Sequence, residues 1–295
     1  MPAAPPLEIS YYPGCSLATS ASEANESLKE ACRAAGLGLH ELEDWNCCGT
    51  SSAHALDRGL GLSLAARNLV LAPPGRPLMV MCPACYKNLA AAQAELRADP
   101  ERRRAEERRW GGTIDPDLRI VTFLEMVHFL RKLGEMGTFK PAVRGALALN
   151  NGLAGLKAAP YHGCASMLPP RLRPAGFRPA LMSELLSLLG AEPLVWALPN
   201  RCCGTFLTVA RPDITTPLVN QIMQAALDAG AECLVTACAM CQLNIEVRCD
   251  LPERLPTLHF SEAMALALGV QAPPGWFARH LVDPRPLLRA RRLLA

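Results

Sequence analysis

The sequence predicts an α/β protein made of two similar, duplicated domains, each an open, mostly parallel sheet flanked by helices, with its site at the carboxyl ends of the strands. Three observations carry this expectation. A five-cysteine pattern occurs twice in register. Short apolar runs alternate with helical stretches through both halves. Each cysteine group falls between a strand and the helix that follows it, which is the sheet edge where open α/β folds build their sites.

In the first half, "LEISYYP" reads as a strand and "SEANESLKEACRAAG" as a helix, with Ser22 as a candidate cap and Gly36 as a stop. Next come "LHELED" as a strand, "AHALDRGLGLSLAARNLVLA" as one helix, "PLMVM" as a buried strand and "YKNLAAAQAELRA" as a helix. "RIVTF" and "LEMVHFLRKLG" close the half. The second half runs in the same order: "AAPYH", "ALMSELLSLLG", "PLVWA", "TPLVNQIMQAALDAG", "ECLVTA", "CQLNIEVR", "TLHF" and "SEAMALALG". Between the halves, the segment from Gly137 to Pro160 holds several glycines and no amphipathic period, as a linker would. The expected domains are therefore 1–145 and 146–295.

At 295 residues, half of them hydrophobic and 19% charged, the chain has the balance of a globular protein with a substantial core. No run of eighteen apolar residues occurs, and "MPAAPPLEIS" lacks a basic segment followed by a long apolar one. Neither a membrane span nor a secretory leader is expected, and a cytoplasmic location is. A net charge of +3 gives no reason to expect a nucleic-acid partner.

The thirteen cysteines are the informative count. Reduced thiols at this density point to metal binding or redox chemistry, because disulfides are rare in the cytosol. The first pattern is Cys15, the adjacent pair Cys47 and Cys48, then Cys82 and Cys85 in "MCPACY". The second is Cys164, the pair Cys202 and Cys203, then Cys238 and Cys241 in "TACAMC". Matching cysteines lie 149, 155 and 156 residues apart, and both pairs continue as Gly-Thr. Adjacent cysteines do not easily bridge to each other, since the ring would strain the peptide. The free N–H groups and positive dipole of a helix N-terminus stabilise thiolates at such positions.

Three uses of five thiolates compete with an iron–sulfur site. Structural zinc takes four ligands, usually from two short cysteine hairpins, and here each half has only one CxxC. A lone dithiol leaves three cysteines unexplained, and inert buried cysteines have no reason to repeat in register. Iron–sulfur ligation uses cysteine thiolates throughout, and five exceed the four of an ordinary cubane.

These two runs resemble the duplicated cysteine-rich CCG domains of the heterodisulfide reductase B-subunit family, including the type found in bacterial sulfur oxidation. The likeness covers about residues 8 to 270. It implies two 4Fe-4S iron–sulfur clusters, at least one of them noncubane, held by Cys15, Cys47, Cys48, Cys82 and Cys85 and by Cys164, Cys202, Cys203, Cys238 and Cys241. It implies cleavage or formation of a disulfide in a small or protein-bound thiol substrate. Electrons would pass through an HdrA-like flavoprotein subunit and an HdrC-like ferredoxin subunit, because this chain has neither a GxGxxG fingerprint nor a ferredoxin's four-cysteine run. Two other roles remain open: an electron-transfer subunit of a 2-hydroxyacid (glycolate or lactate) oxidase or quinone-linked dehydrogenase, and a non-catalytic zinc or electron-relay module.

His54 and His162 flank the cysteine groups and are candidate proton donors, with a packed or surface histidine as the plainer alternative. Lys87 could offset cluster charge or be simply solvated. The charged stretch from Ala98 to Gly112, an insertion relative to the second copy, reads as a protruding solvated helix or a docking arm for a partner. The basic tail "RPLLRARRLLA" reads as a docking segment. Cys32 and Cys233 read as core packing, and Cys249 is unassigned.

Overall fold

The structure is a computed structural model and describes residues 7–50, 52–128, 152–164, 178, 180–273 and 275–294. Two four-stranded sheets, all parallel, carry the two halves. The first consists of β1 (Leu7–Tyr12), β2 (Leu37–Glu41), β3 (Leu78–Val80) and β4 (Ile120–Thr122), in the order β2-β1-β3-β4. The second consists of β5 (Lys157–Tyr161), β6 (Glu192–Pro193), β7 (Cys233–Thr236) and β8 (Thr257–His259), in the order β6-β5-β7-β8. Both sheets therefore switch direction between their first and third strands. That crevice, at the strands' carboxyl ends, is where such folds place their sites.

The first half carries α1 (Gly14–Ala18), α2 (Ser22–Ala34), α3 (Ala53–Leu56), α4 (Arg58–Leu71), α5 (Pro83–Ala98) and α6 (Pro100–Trp110). The second carries α7 (Leu181–Leu188), α8 (Pro212–Asp228), α9 (Ala239–Arg248), α10 (Phe260–Ala267) and α11 (Arg285–Ala290). Residues 123–128 are also helical.

Successive strand residues point to opposite faces, and the sequence uses both. Ile9, Tyr11, Met79 and Val121 enter a central core shared with Ala158, Cys233, Val235 and Leu258 of the second sheet. Tyr12, Leu78 and Val80 enter an outer core of the first half, while Ala159, Tyr161 and Leu234 enter the corresponding outer core of the second. The central layer is sealed by α2, which buries Ala24, Leu28, Ala31 and Cys32, and by α10, buried along its whole length. There Phe123 meets Phe260 edge-on at 5.9 Å, and the hydroxyls of Ser27 and Ser261 lie 2.7 Å apart. Cys32 and Cys233 are fully buried in this core, and Cys249, following α9, is buried in the outer core of the second half.

Several expectations need correction. The stretch read as one helix from Ala53 breaks at Asp57, whose side chain accepts from the Leu60 N–H at 2.6 Å and caps α4. Ser22 is the first residue of α2 and makes no capping bond; its hydroxyl accepts from Arg279. Of "PLVWA" only Pro193 is in a strand, as the second residue of the two-residue β6.

The charged insertion does not protrude. Asp99 caps α6, Glu106 is buried and accepts from the Ser63 hydroxyl at 2.6 Å, and Arg67 lies over the Trp110 ring, so the helix lies back on α4. The tail is anchored on the protein by one face: Leu288 is fully buried in the central core, and Arg291 pairs with Glu232. Most of the linker, 137–151, lies outside the described residues.

Candidate metal centre

β1 ends at Tyr12, and the chain turns through Gly14 at φ +74° to present Cys15. A β-carbon on Gly14 would stand 3.2 Å from Cys85 Sγ and 3.3 Å from the Tyr12 ring, so only glycine lets the backbone come this close. Cys47 and Cys48 lie on an irregular segment beyond β2, which leaves through Gly49 at φ +79°. Two side chains pin that segment. Tyr12 donates its hydroxyl to the Asn46 carbonyl at 2.8 Å, and Asn88 donates its amide to the Cys48 carbonyl at 2.5 Å. The last two cysteines open α5: Cys82 is its N-cap, Pro83 its first residue, and Cys85 sits in the first turn.

The second half repeats these devices. Gly163, at φ +57°, would place a β-carbon 3.3 Å from Cys241 Sγ, and Gly204 has φ +77°. The Tyr161 hydroxyl donates to the Arg201 carbonyl at 2.5 Å, and the Asn244 amide donates to the Cys203 carbonyl at 2.8 Å. Cys238 caps α9 and Cys241 lies in its first turn. The sequence reading missed both Tyr–Asn pairs. Their signal was present: each copy has Tyr three residues before its first cysteine and Asn three residues after its last.

Sulfur atoms converge accordingly. Cys15 and Cys47 are 3.6 Å apart, Cys48 and Cys85 3.2 Å, and Cys203 and Cys241 3.5 Å. Backbone N–H groups point at the sulfurs as well, that of Gly204 reaching Cys202 Sγ at 3.4 Å. The thiols share protons in pairs. The hydrogen bond from Cys15 holds Cys47 far below the ordinary thiol range, while Cys15 is pushed well above it. Cys164 likewise brings Cys202 down to about 6 and is itself raised. The thiol of Cys85, aided by two N–H donors of the α5 N-terminus, brings the buried Cys82 down to about 7. Each half thus has two thiols shifted towards the thiolate, the ligating form: Cys47 and Cys82 in the first, Cys202 and Cys203 in the second.

All ten cysteines line a single cleft of about 370 Å³. His162 lines it too, half-buried, with burial pushing its pKa below the usual value. Lys87 is exposed and does not line it. His54 belongs to α3, and its side chain lies outside the described residues. Donor chemistry favours a sulfur-ligated group: five convergent thiols per half, partly buried and supplied with N–H···S bonds, fit an iron–sulfur cluster better than a four-ligand ion.

Comparison with known proteins finds the same duplication. The cysteine-rich domain family CCG matches residues 9–90 and again 158–246. The 8-methylmenaquinol:fumarate reductase membrane anchor subunit of Wolinella succinogenes is 27% identical over 293 residues, covering 95% of this chain and 99% of that one. The B subunit of the ferredoxin/F(420)H(2)-dependent CoB-CoM heterodisulfide reductase of Methanosarcina acetivorans is 26% identical over 282 residues, covering 89% of each. A crystal structure of a hypothetical protein from Helicobacter pylori shares the fold, with a TM-score of 0.64 at 15% identity; it covers 90% of this chain and 50% of that one. Among the described residues no helix is long and apolar enough to cross a membrane. With both copies matched and more than half its length covered, the chain belongs to the cysteine-rich CCG domain family and is similar to the B subunits of heterodisulfide reductases.

Proposed function

We propose that this chain is the catalytic iron–sulfur subunit of a heterodisulfide reductase-like complex, organised as domains 1–145 and 146–295. Cys15, Cys47, Cys48, Cys82 and Cys85 hold one 4Fe-4S cluster, and Cys164, Cys202, Cys203, Cys238 and Cys241 hold the other, at least one of them noncubane. The observation that carries this reading is the convergence of both five-thiol sets on one cleft. When bound, the clusters supply single electrons and iron able to take a sulfur ligand. Cleaving R–S–S–R′ consumes two electrons and two protons and yields two thiols; oxidation runs the same balance backwards. The chain's part is to place a disulfide between the two walls, to limit water, and to pass protons. His162, on the cleft wall, is the side chain suited to the last task. Electrons enter or leave through flavoprotein and ferredoxin-like partner subunits.

A second reading has one observation behind it, the relative named as a subunit of a menaquinol:fumarate reductase. In that case the ten cysteines would hold clusters supplying electron transfer to or from a quinone, and the cleft would take no disulfide.

Anaerobic purification tests both. Iron and labile sulfide should appear in near-equal amounts, about eight of each per chain for two 4Fe-4S clusters. Adding a thiol to the oxidised protein should change the EPR spectrum, and Cys202→Ser should remove that change while the first half keeps its iron. Zinc without labile sulfide overturns the cluster assignment. Iron–sulfur clusters that ignore thiols favour the electron-relay reading.

A further inference from the structure

The two walls of the cleft are built alike around their cysteines but differ in what surrounds them. On the first-half side, the residue before Cys85 is Ala84. At the matching place on the second side stands Met240. Beyond the second Cys-Cys-Gly turn, a 3-10 turn (Thr205–Leu207) and the two residues after it form a lip that adds Phe206 and Val209 to the cleft lining. Phe206 is 59% exposed and Val209 88% exposed.

Large apolar side chains left open on a cleft wall are costly unless something covers them. This lip is also held rigid. Thr205 donates its hydroxyl to the Met240 carbonyl at 3.3 Å, and Arg248 donates to the Thr208 hydroxyl at 2.9 Å and to its carbonyl. A pinned apolar surface loses little entropy when a ligand packs on it.

We propose that this lip is a specificity element: Phe206, Val209 and Met240 receive an apolar arm of the thiol or disulfide substrate, so that an unsymmetrical disulfide enters with its apolar half towards the second site. The inference rests on the disulfide reading and adds the chemical class of the substrate. It favours a substrate over a docked protein because the three side chains line the same cleft as the ten cysteines.

The test uses cluster-loaded protein and a series of unbranched thiols from ethanethiol to hexanethiol, with 3-mercaptopropionate as the anionic match to butanethiol. The readout is the concentration giving half of the thiol-induced EPR change, a binding measurement independent of turnover. Each added methylene should tighten binding about two- to fourfold, since full burial of one is worth a factor of about four. 3-Mercaptopropionate should bind more weakly than butanethiol. The double variant Phe206→Ser, Val209→Ser should flatten the chain-length dependence with iron content unchanged, and Val209→Ser alone should flatten it in part. Leu56→Ser, an exposed apolar residue of the first half outside the cleft, should leave it unaltered.

A chain-length dependence that survives the double variant overturns the inference while leaving the disulfide reading intact. So does a lip variant that weakens only assembly with partner subunits, which would make the lip a docking surface. No response to any thiol removes both proposals together.

Discussion

His280 does not line the cleft, and its ring lies between two carboxylates. Its Nδ1 is 3.0 Å from Glu246 and its Nε2 3.0 Å from Glu262. Glu246 also accepts from the Leu281 N–H, and Glu262 from the His259 N–H; Gln242, next to Cys241 on α9, touches the ring at 3.3 Å. Burial alone would lower the pKa of His280, but the hydrogen bonds to Glu246 and Glu262 outweigh it and raise the pKa to about 10. A rise of roughly three to four pH units, at about 1.4 kcal/mol each, is of the order of 5 kcal/mol of folding stability.

The sign follows from the direction of the shift. The folded state holds the proton more tightly than the unfolded one, so the contribution is complete below about pH 6.5 and fades as pH rises towards about 10. His280→Gln should therefore lower stability by about 3–5 kcal/mol at pH 6, because two buried carboxylates lose their cation. The gap between wild type and variant should close across that pH range. Urea unfolding of the cluster-loaded protein, followed by tryptophan fluorescence, measures it. Glu246→Gln serves as the comparator: it keeps an acceptor but removes one charge, and should end the pH-dependent range at lower pH. A gap that stays constant between pH 6 and 10 would refute the reasoning.

Two further predictions concern the cysteine scaffold. Gly14→Ala and Gly163→Ala each force a β-carbon against a cysteine sulfur, that of Cys85 or Cys241, in a left-handed backbone conformation that costs an L-residue about 1–2 kcal/mol; on the proposed cluster assignment each should deplete iron in its own half and spare the other, as read by metal analysis and EPR. Asn88→Ala and Asn244→Ala remove the amides that hold the second cysteine of each pair, at about 1–3 kcal/mol apiece. Iron should then be lost faster to a chelator, with the first variant affecting the first half only.

The duplication, the parallel α/β class and the cysteine grouping were legible because they are written in order and spacing, which a single chain displays in full. Strand edges were not: β6 is two residues long, and neither its pattern nor its composition separates it from the loop that follows. The packing of the insertion and of the tail was not foreseen, for a common reason. Both carry dense charge, and charge density alone does not tell a solvated helix from one whose aliphatic and aromatic parts lie on a neighbour, as Arg67 on Trp110 and Leu288 in the core show. The Tyr12–Asn88 and Tyr161–Asn244 supports are harder to see, because neither residue type ligates metal and each acts on a backbone carbonyl far away in sequence. They emerge only when the two copies are compared at every position around the cysteines.

The shared central core has a consequence for how such a chain could have arisen. A single repeat on its own would leave the residues that meet across the halves, Ser27 and Phe123 or Ser261 and Phe260, facing water. The most direct cover for that face is the same face of another copy, related by a twofold axis. A one-repeat ancestor would then have been a homodimer with two identical sites looking at each other across one opening. Fusion of its gene copies would have released each site to change independently, and Met240 at the place that Ala84 holds in the first copy is the kind of divergence that a strict twofold forbids.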